Sequence, residues 1–172
     1  MSTPQIPVPQ SLAELMARAW AMEVEASERY EELADAMDTH NNREVGAMFR
    51  KMAGYEGLHA KQILEQMGWT GAPPAQVAWT ETEAPETTPS DEIHYLMQPY
   101  HALELALAAE ERAERFFAHL AEVATVDAVR AAAREMQAEE AEHVQLVRDW
   151  MAKVPKPTRN WSDDPDPPRY NE

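Results

Sequence analysis

The chain has 172 residues, with 31 acidic against 15 basic side chains and a formal net charge of −16. That length supports one domain with a sizeable core, and so acidic a chain repels phosphate backbones, which argues against a nucleic-acid partner. No cysteine is present, which removes disulfides, thiolate metal sites and cysteine nucleophiles together. No apolar run approaches the roughly 20 residues of a membrane span, and residues 1–10 carry neither the basic cluster nor the apolar segment of a secretory signal, so a cytoplasmic protein with no membrane partner is expected.

Proline divides the chain. All 13 prolines fall outside two stretches, Gln10 to Ala72 and Tyr100 to Val154, and since proline is costly inside a helix these stretches are the ones free to be helical. The expected organisation is an extended segment over 1–10, a helical bundle over 11–154 and a Pro/Asp-rich tail over 155–172. The first helix is expected at about 11–38. It breaks at Asp38-Thr39-His40-Asn41-Asn42, where Asn41 or Asn42 can cap a second helix over 43–67, with Glu44 completing a capping-box-like pattern. Residues 69–91, with Pro73, Pro74, Pro85 and Pro89, read as a long surface connection, and a short helix over Asp91 to Met97 is open. Pro99 suits the first turn of a third helix over 99–123. Thr125 or Asp127 would cap the fourth, over 128–152. Trp161 and Tyr170 are the residues that could pin the tail. The predicted fold is therefore all-α: two helical hairpins joined by a long crossover into a four-helix bundle.

Alternating steps of three and four mark the core stripe of each helix. The first reads Leu12, Met16, Ala19, Glu23, Ala26, Tyr30, Leu33, Met37, and the second Val45, Phe49, Met52, Glu56, His59, Ile63. The third reads Leu103, Ala106, Glu110, Ala113, Phe117, Leu120, Ala124, and the fourth Val129, Ala133, Met136, Glu140, His143, Val147, Trp150. Every stripe is apolar except at its centre, where four glutamates and two histidines stand.

Burying an isolated carboxylate costs several kcal/mol, and four together also repel one another. The stripes offer no lysine or arginine in compensation, whereas two divalent cations would neutralise four carboxylates. Carboxylate oxygens combined with imidazole nitrogens suit iron, manganese or zinc better than magnesium or calcium. Glu56-x-x-His59 and Glu140-x-x-His143 each place two donors on one helix face, and Glu23 and Glu110 can bridge or cap the pair of metals, a known dimetal design. The pattern occurs twice: Glu23 precedes Glu56 by 33 residues and Glu110 precedes Glu140 by 30. A single core Glu or His is ordinarily a satisfied polar group; six at one level of one bundle point to metal.

The remaining candidates read more plainly. Glu25, Glu28, Glu31, Glu32, Glu111, Glu114, Glu139 and Glu142 fall off the stripes and are expected on solvated faces. His40, His94, His101 and His119 lack partner spacing and are expected at the surface or boundary. Tyr30 is read as an aromatic packed below the site, with electron relay or a hydrogen bond to a ligand as the sharper alternative. Gly54 and Gly57 flank Glu56 and are attributed to close helix packing, against a local distortion that opens room for a ligand.

The Glu-x-x-Ala-x-x-x-aromatic runs at Glu23–Tyr30 and Glu110–Phe117, followed by the two Glu-x-x-His pairs, resemble the rubrerythrin branch of the ferritin-like superfamily over about residues 11–152. The resemblance implies a ferritin-like bundle with a non-haem di-iron centre held by Glu56-His59, Glu140-His143, Glu23 and Glu110, commonly in a homodimer. Two departures stand out. The chain lacks the cysteine-rich rubredoxin module that delivers electrons in rubrerythrins, so an external electron donor is required. Ala113 also replaces a further Glu that takes part in redox-dependent ligand exchange in that family. The expected function is a di-iron oxidoreductase acting on hydrogen peroxide or dioxygen. Ferroxidase or iron handling at the same centre, and a redox-silent structural metal site, are the alternatives.

Overall fold

The computed structural model describes residues 7–77 and 98–157. Among them are four α-helices: α1 (Leu12–Thr39), α2 (Arg43–Met67), α3 (Pro99–Val123) and α4 (Asp127–Lys153). Each boundary lies within one residue of the expected position. Much of the proline-rich connection, the open short helix over Asp91–Met97, His94, Trp161 and Tyr170 lie outside the described residues.

Local chemistry sets the helix ends. Ser11 caps α1, its hydroxyl accepting the Glu14 N–H at 3.2 Å, while the Gln10 N–H donates to the Glu14 carboxylate at 2.8 Å. Asn41 turns the chain with φ 59°, a left-handed conformation that Asn tolerates. Asn42 then caps α2 by accepting from the Val45 N–H. Because Asn42 rather than Asn41 is the cap, Glu44 falls one position short of a capping box and instead places its charge in the first turn. Gly68, at φ 67°, ends α2, with the Trp69 N–H returning to the Leu64 carbonyl at 2.9 Å. Pro99 opens α3, as expected. Neither Thr125 nor Asp127 caps α4: Val126 holds that position without a side-chain bond, and Asp127 is the first helical residue, paired with Arg130.

His101 departs from its expected surface place. It is buried, and its Nδ1 accepts the Gln98 N–H at 3.1 Å, closing a capping box over the first turn of α3. The Pro99 that marks the helix start also fixes His101 as the third helical residue, so this role was available in the local spacing.

The core forms two apolar clusters. One gathers Leu15, Met16, Ala19 and Met22 from the start of α1, Ile63 from the end of α2, Phe117 and Leu120 from the end of α3, and Val129, Ala133 and Met136 from the start of α4. The other gathers Tyr30, Leu33 and Met37 from the end of α1, Val45, Phe49 and Met52 from the start of α2, Leu103 and Ala106 from α3, and Val147 from the end of α4. It follows that α1 and α4 begin at one end of the bundle while α2 and α3 begin at the other. The connection from α2 to α3 is therefore a crossover between opposite ends. Helices α1 and α2 pack most closely, as do α3 and α4; between the hairpins, α1 approaches α4 and α2 approaches α3. Burial extends beyond the narrow predicted stripes to Leu15, Met22, Ala34, Ala53, Ala109 and Val144, because a helix with more than one neighbour buries a wider face. Leu12 and Trp150, at the stripe ends, are half-buried.

The first hairpin is fastened on its outside by Arg50, which reaches Glu31 at 3.0 Å and Asp35 at 2.9 Å across from α1. Ser27 donates to the Ala53 carbonyl at 2.9 Å, and Gly57 lies against the Ser27 oxygen, the close packing expected of it. Gly54 is different: it faces open space, so packing does not account for it. At Gly46 a Cβ would stand 3.2 Å from the Ala34 carbonyl and closer still to the Asp38 carboxylate.

These two glycines should respond with opposite signs in chemical denaturation of the metal-free protein. Gly46→Val should destabilise by about 1–3 kcal/mol through overpacking of the hairpin. Gly54→Ala should stabilise by up to about 1 kcal/mol from helix propensity alone. Shifts of the same sign in both variants would contradict the hairpin packing described.

Candidate metal centre

Between the two apolar clusters lies a polar belt, and it contains all six sequence-predicted donors. Glu23, Glu56, Glu110 and Glu140 are at most 1% exposed. The His143 side chain is 10% exposed and that of His59 19%, which makes His59 the most accessible of the six. The i, i+3 spacing works as the helix dictates. Glu140 and His143 project together from α4, with Glu140 Oε2 3.7 Å from His143 Nδ1, while Glu56 and His59 project from the facing turn of α2.

His143 stands at the centre of the arrangement. Its Nδ1 lies 3.3 Å from Glu56 Oε1 and 3.3 Å from Glu110 Oε2, so carboxylates from three helices converge on one nitrogen. Donor atoms of Glu56, His59 and His143 lie within 4.8 Å of one another, and so do those of Glu110, Glu140 and His143. The two triads share His143 instead of dividing cleanly into one Glu-x-x-His pair each. Glu23 belongs to neither, and its Oε1 lies 3.9 Å from His59 Nδ1. The two imidazole rings stack with centroids 4.7 Å apart.

Hydrogen bonding within the belt is incomplete. Glu110 is held on both oxygens, by the Tyr30 hydroxyl at 3.1 Å and by His143 at 3.3 Å. Both oxygens of Glu56, both of Glu140 and Nδ1 of His59 are buried with no hydrogen bond of sound geometry; the contact from His143 to Glu56 is short but misaligned. Buried polar atoms without partners cost about 1–3 kcal/mol each, more when charged. Five such atoms in one belt call for a ligand that the side chains themselves do not provide.

Protonation shows the same deficit. Burial lowers the His143 imidazole, yet Glu110 and Glu56 outweigh it and push His143 up to about 11. Burial and the Glu56 charge raise the Glu110 carboxyl, and burial with the Glu110 and Glu56 charges raises Glu140 well above the usual range. Burial and the neighbouring His143 lower His59. Without metal, then, the His143 imidazolium is the positive charge that the clustered glutamates gather around, and beside it Glu56 is held below its usual range.

The structure joins the two readings of Tyr30: its ring stacks on Phe49 with centroids 6.0 Å apart, and its hydroxyl donates to Glu110. Tyr55, off the predicted stripe, places its ring 6.4 Å from His143, a neighbour that periodicity did not reveal. Ala113 is fully buried in the apolar cluster, so no carboxylate enters the centre at that turn of α3. Of the off-stripe glutamates, Glu28, Glu31, Glu32, Glu139 and Glu142 are exposed and Glu25, Glu111 and Glu114 half-buried; His40 and His119 are exposed, as expected.

The donor set and its orphaned atoms fit divalent metal of the iron, manganese or zinc kind. Glu56, His59 and His143 form one group of candidate ligands and Glu110, Glu140 and His143 another, with Glu23 beside His59, and the shared His143 can serve one of them at a time. Comparison with known proteins agrees with this chemistry. The chain is 37% identical to an uncharacterised conserved protein of Magnetospirillum magnetotacticum MS-1, whose crystal structure superposes with a TM-score of 0.64 over 87% of this chain and 99% of that one. No curated protein matches. The rubrerythrin family model matches residues 14–97 and 101–165, and with the buried Glu/His belt in place within that span, the chain belongs to the rubrerythrin family.

Proposed function

We propose that the chain is a non-haem di-iron oxidoreductase that reduces hydrogen peroxide or dioxygen. The observation that carries this reading is the pair of carboxylates, Glu56 and Glu140, buried at mid-bundle with no oxygen in a hydrogen bond of sound geometry. Family membership supports it, since rubrerythrins are generally di-iron oxidoreductases.

Bound at these residues, two iron ions would supply two electrons per peroxide and Lewis acidity for its O–O bond; two protons complete the conversion to water, and a reductant outside this cysteine-free chain restores the ferrous state. The protein's own part is positional. The two apolar clusters exclude bulk water from the belt on both sides along the bundle axis. Tyr30 orients Glu110 through its hydroxyl. With Ala113 inside the apolar cluster, the ligand exchange that a second α3 carboxylate allows in rubrerythrins has no residue to perform it at that turn.

Loading must displace the proton on His143, whose imidazole Glu110 and Glu56 push up to about 11 in the metal-free protein. Anaerobic titration with ferrous iron should therefore release protons, saturate near two ions per chain, and weaken as pH falls, by about tenfold per pH unit for each proton displaced. Binding independent of pH between 6 and 8 would contradict this account.

Glu140→Leu should abolish binding of the second ion and raise the stability of the metal-free protein by about 1–4 kcal/mol, because an apolar side chain replaces a buried carboxyl without partners. A loss of metal-free stability would show that Glu140 serves the fold instead of the metal.

Stopped-flow mixing of the ferrous-loaded protein with each oxidant tests the reaction itself. Oxidation much faster with peroxide, complete at two irons per chain, is the result expected for peroxide reduction. Faster oxidation by dioxygen, continuing as ferrous iron is added, would establish ferroxidase activity. No oxidation by either would leave a structural metal site.

A further inference from the structure

The belt is sealed along the bundle axis by apolar side chains, yet on one flank it is open. A cavity of about 80 Å³ lies among α1, α2 and α4 and is bounded by His59, Gln62 and Gln66 of α2 and Glu135 and Glu139 of α4. Apolar side chains, Met136 among them, complete its wall. Gln62, Gln66, Glu135 and Glu139 are exposed, whereas His59 is half-buried with its Nδ1 enclosed and without a hydrogen-bond partner. The cavity thus runs from a rim of carboxylates and amides at the surface to the most accessible of the six donors.

We propose that this cavity is the route by which a divalent cation reaches the centre, with Glu135 and Glu139 attracting it at the rim and His59 receiving it first. The proposal rests on the metal-centre reading and adds its point of access. Among the described residues, no lysine or arginine lines the cavity to oppose a cation. The volume holds about two or three water molecules at roughly 30 Å³ each, enough for an ion that has shed part of its hydration shell. Gln62 and Gln66 present amide oxygens that replace lost water without the tight hold of a further carboxylate. A strongly negative chain raises the cation concentration at its surface in general, and a carboxylate rim over a low-dielectric mouth focuses that field on one opening. The neutral oxidants gain nothing from such charge, so the rim distinguishes metal uptake from oxidant access.

The test follows anaerobic uptake of Co²⁺ by its visible absorption, in the full chain and in two variants, Glu135→Lys and the double variant Glu135→Gln/Glu139→Gln. Uptake should slow about tenfold or more in Glu135→Lys at low ionic strength, with final stoichiometry unchanged. Added salt should slow the wild type and narrow its lead over the variants. Peroxide oxidation of the fully iron-loaded variants should proceed at the wild-type rate. Glu135 is exposed and belongs to neither donor triad, so its variant separates access from binding; if the double variant lowered stoichiometry while Glu135→Lys did not, Glu139 would be a ligand and the route as described would be wrong. Equal uptake rates in all chains with full stoichiometry would overturn the route and leave the metal centre standing. No Co²⁺ uptake by the wild type would overturn the centre and the route with it.

Discussion

An ionised carboxylate removed from water costs several kcal/mol even after the protein relaxes around it, and this bundle buries four glutamate side chains at one level. Much of the surrounding architecture answers that cost. The apolar contacts are split into two clusters, one on either side of the belt, and each must be large enough to hold its end of four helices together. Full burial of a Leu, Phe or Met contributes about 1.5–3 kcal/mol, so side chains such as Phe49, Phe117, Leu15 and Leu103 offset a centre that, without metal, opposes folding. The belt itself manages the charge with what it has: Tyr30 and His143 hold Glu110, and burial beside Glu110 and Glu56 raises the Glu140 carboxyl well above its usual range. The fold is organised to make an unfavourable arrangement permanent, which is the condition for capturing an ion strongly.

Much of this was legible in the residue pattern because two independent rules met at the same positions. Proline avoids helix interiors, and that rule, joined to the capping signals at Asp38–Asn42 and Thr125–Asp127, located all four helices to within a residue. Periodicity then placed Glu23, Glu56, His59, Glu110, Glu140 and His143 on core stripes where their chemistry was anomalous, and the structure brings all six into one belt. What failed was information that periodicity does not carry. Val126 stands at the start of α4 without a side-chain cap, against capping preferences, and Asp127 instead places its charge in the first turn. His101 lacked a partner at ligand spacing, yet its partner was a backbone N–H three residues back. The sharing of His143 by both triads also escaped the pattern, since spacing along one helix says nothing about how deeply a neighbouring helix inserts its side chains.

The two hairpins contribute equally. Glu23, Glu56 and His59 come from the first, and Glu110, Glu140 and His143 from the second. Their environments are nonetheless unequal: His143 is enclosed by carboxylates, while His59 borders the cavity on the flank. A doubled motif has thus given one inner imidazole and one outer one. The same inequality separates the two roles a metal site must reconcile, a tight inner position and an approachable outer one.

The crossover between opposite ends also has a consequence in time. During synthesis the first hairpin is complete once α2 has emerged, at Met67, while the last donors arrive with α4, which ends at Lys153. At ribosomal rates of about 5–20 residues per second, roughly 4–17 s separate these events. Through that interval the nascent chain carries half a belt, three donors too few and too exposed to retain an ion against water. On the proposed metal reading, metal does not direct the early steps of assembly, and the bundle closes first around its own Glu/His belt. On the same reading, ions reach the centre only after the helices have shut, and the proposed lateral route beside His59 is what its biogenesis would then depend on.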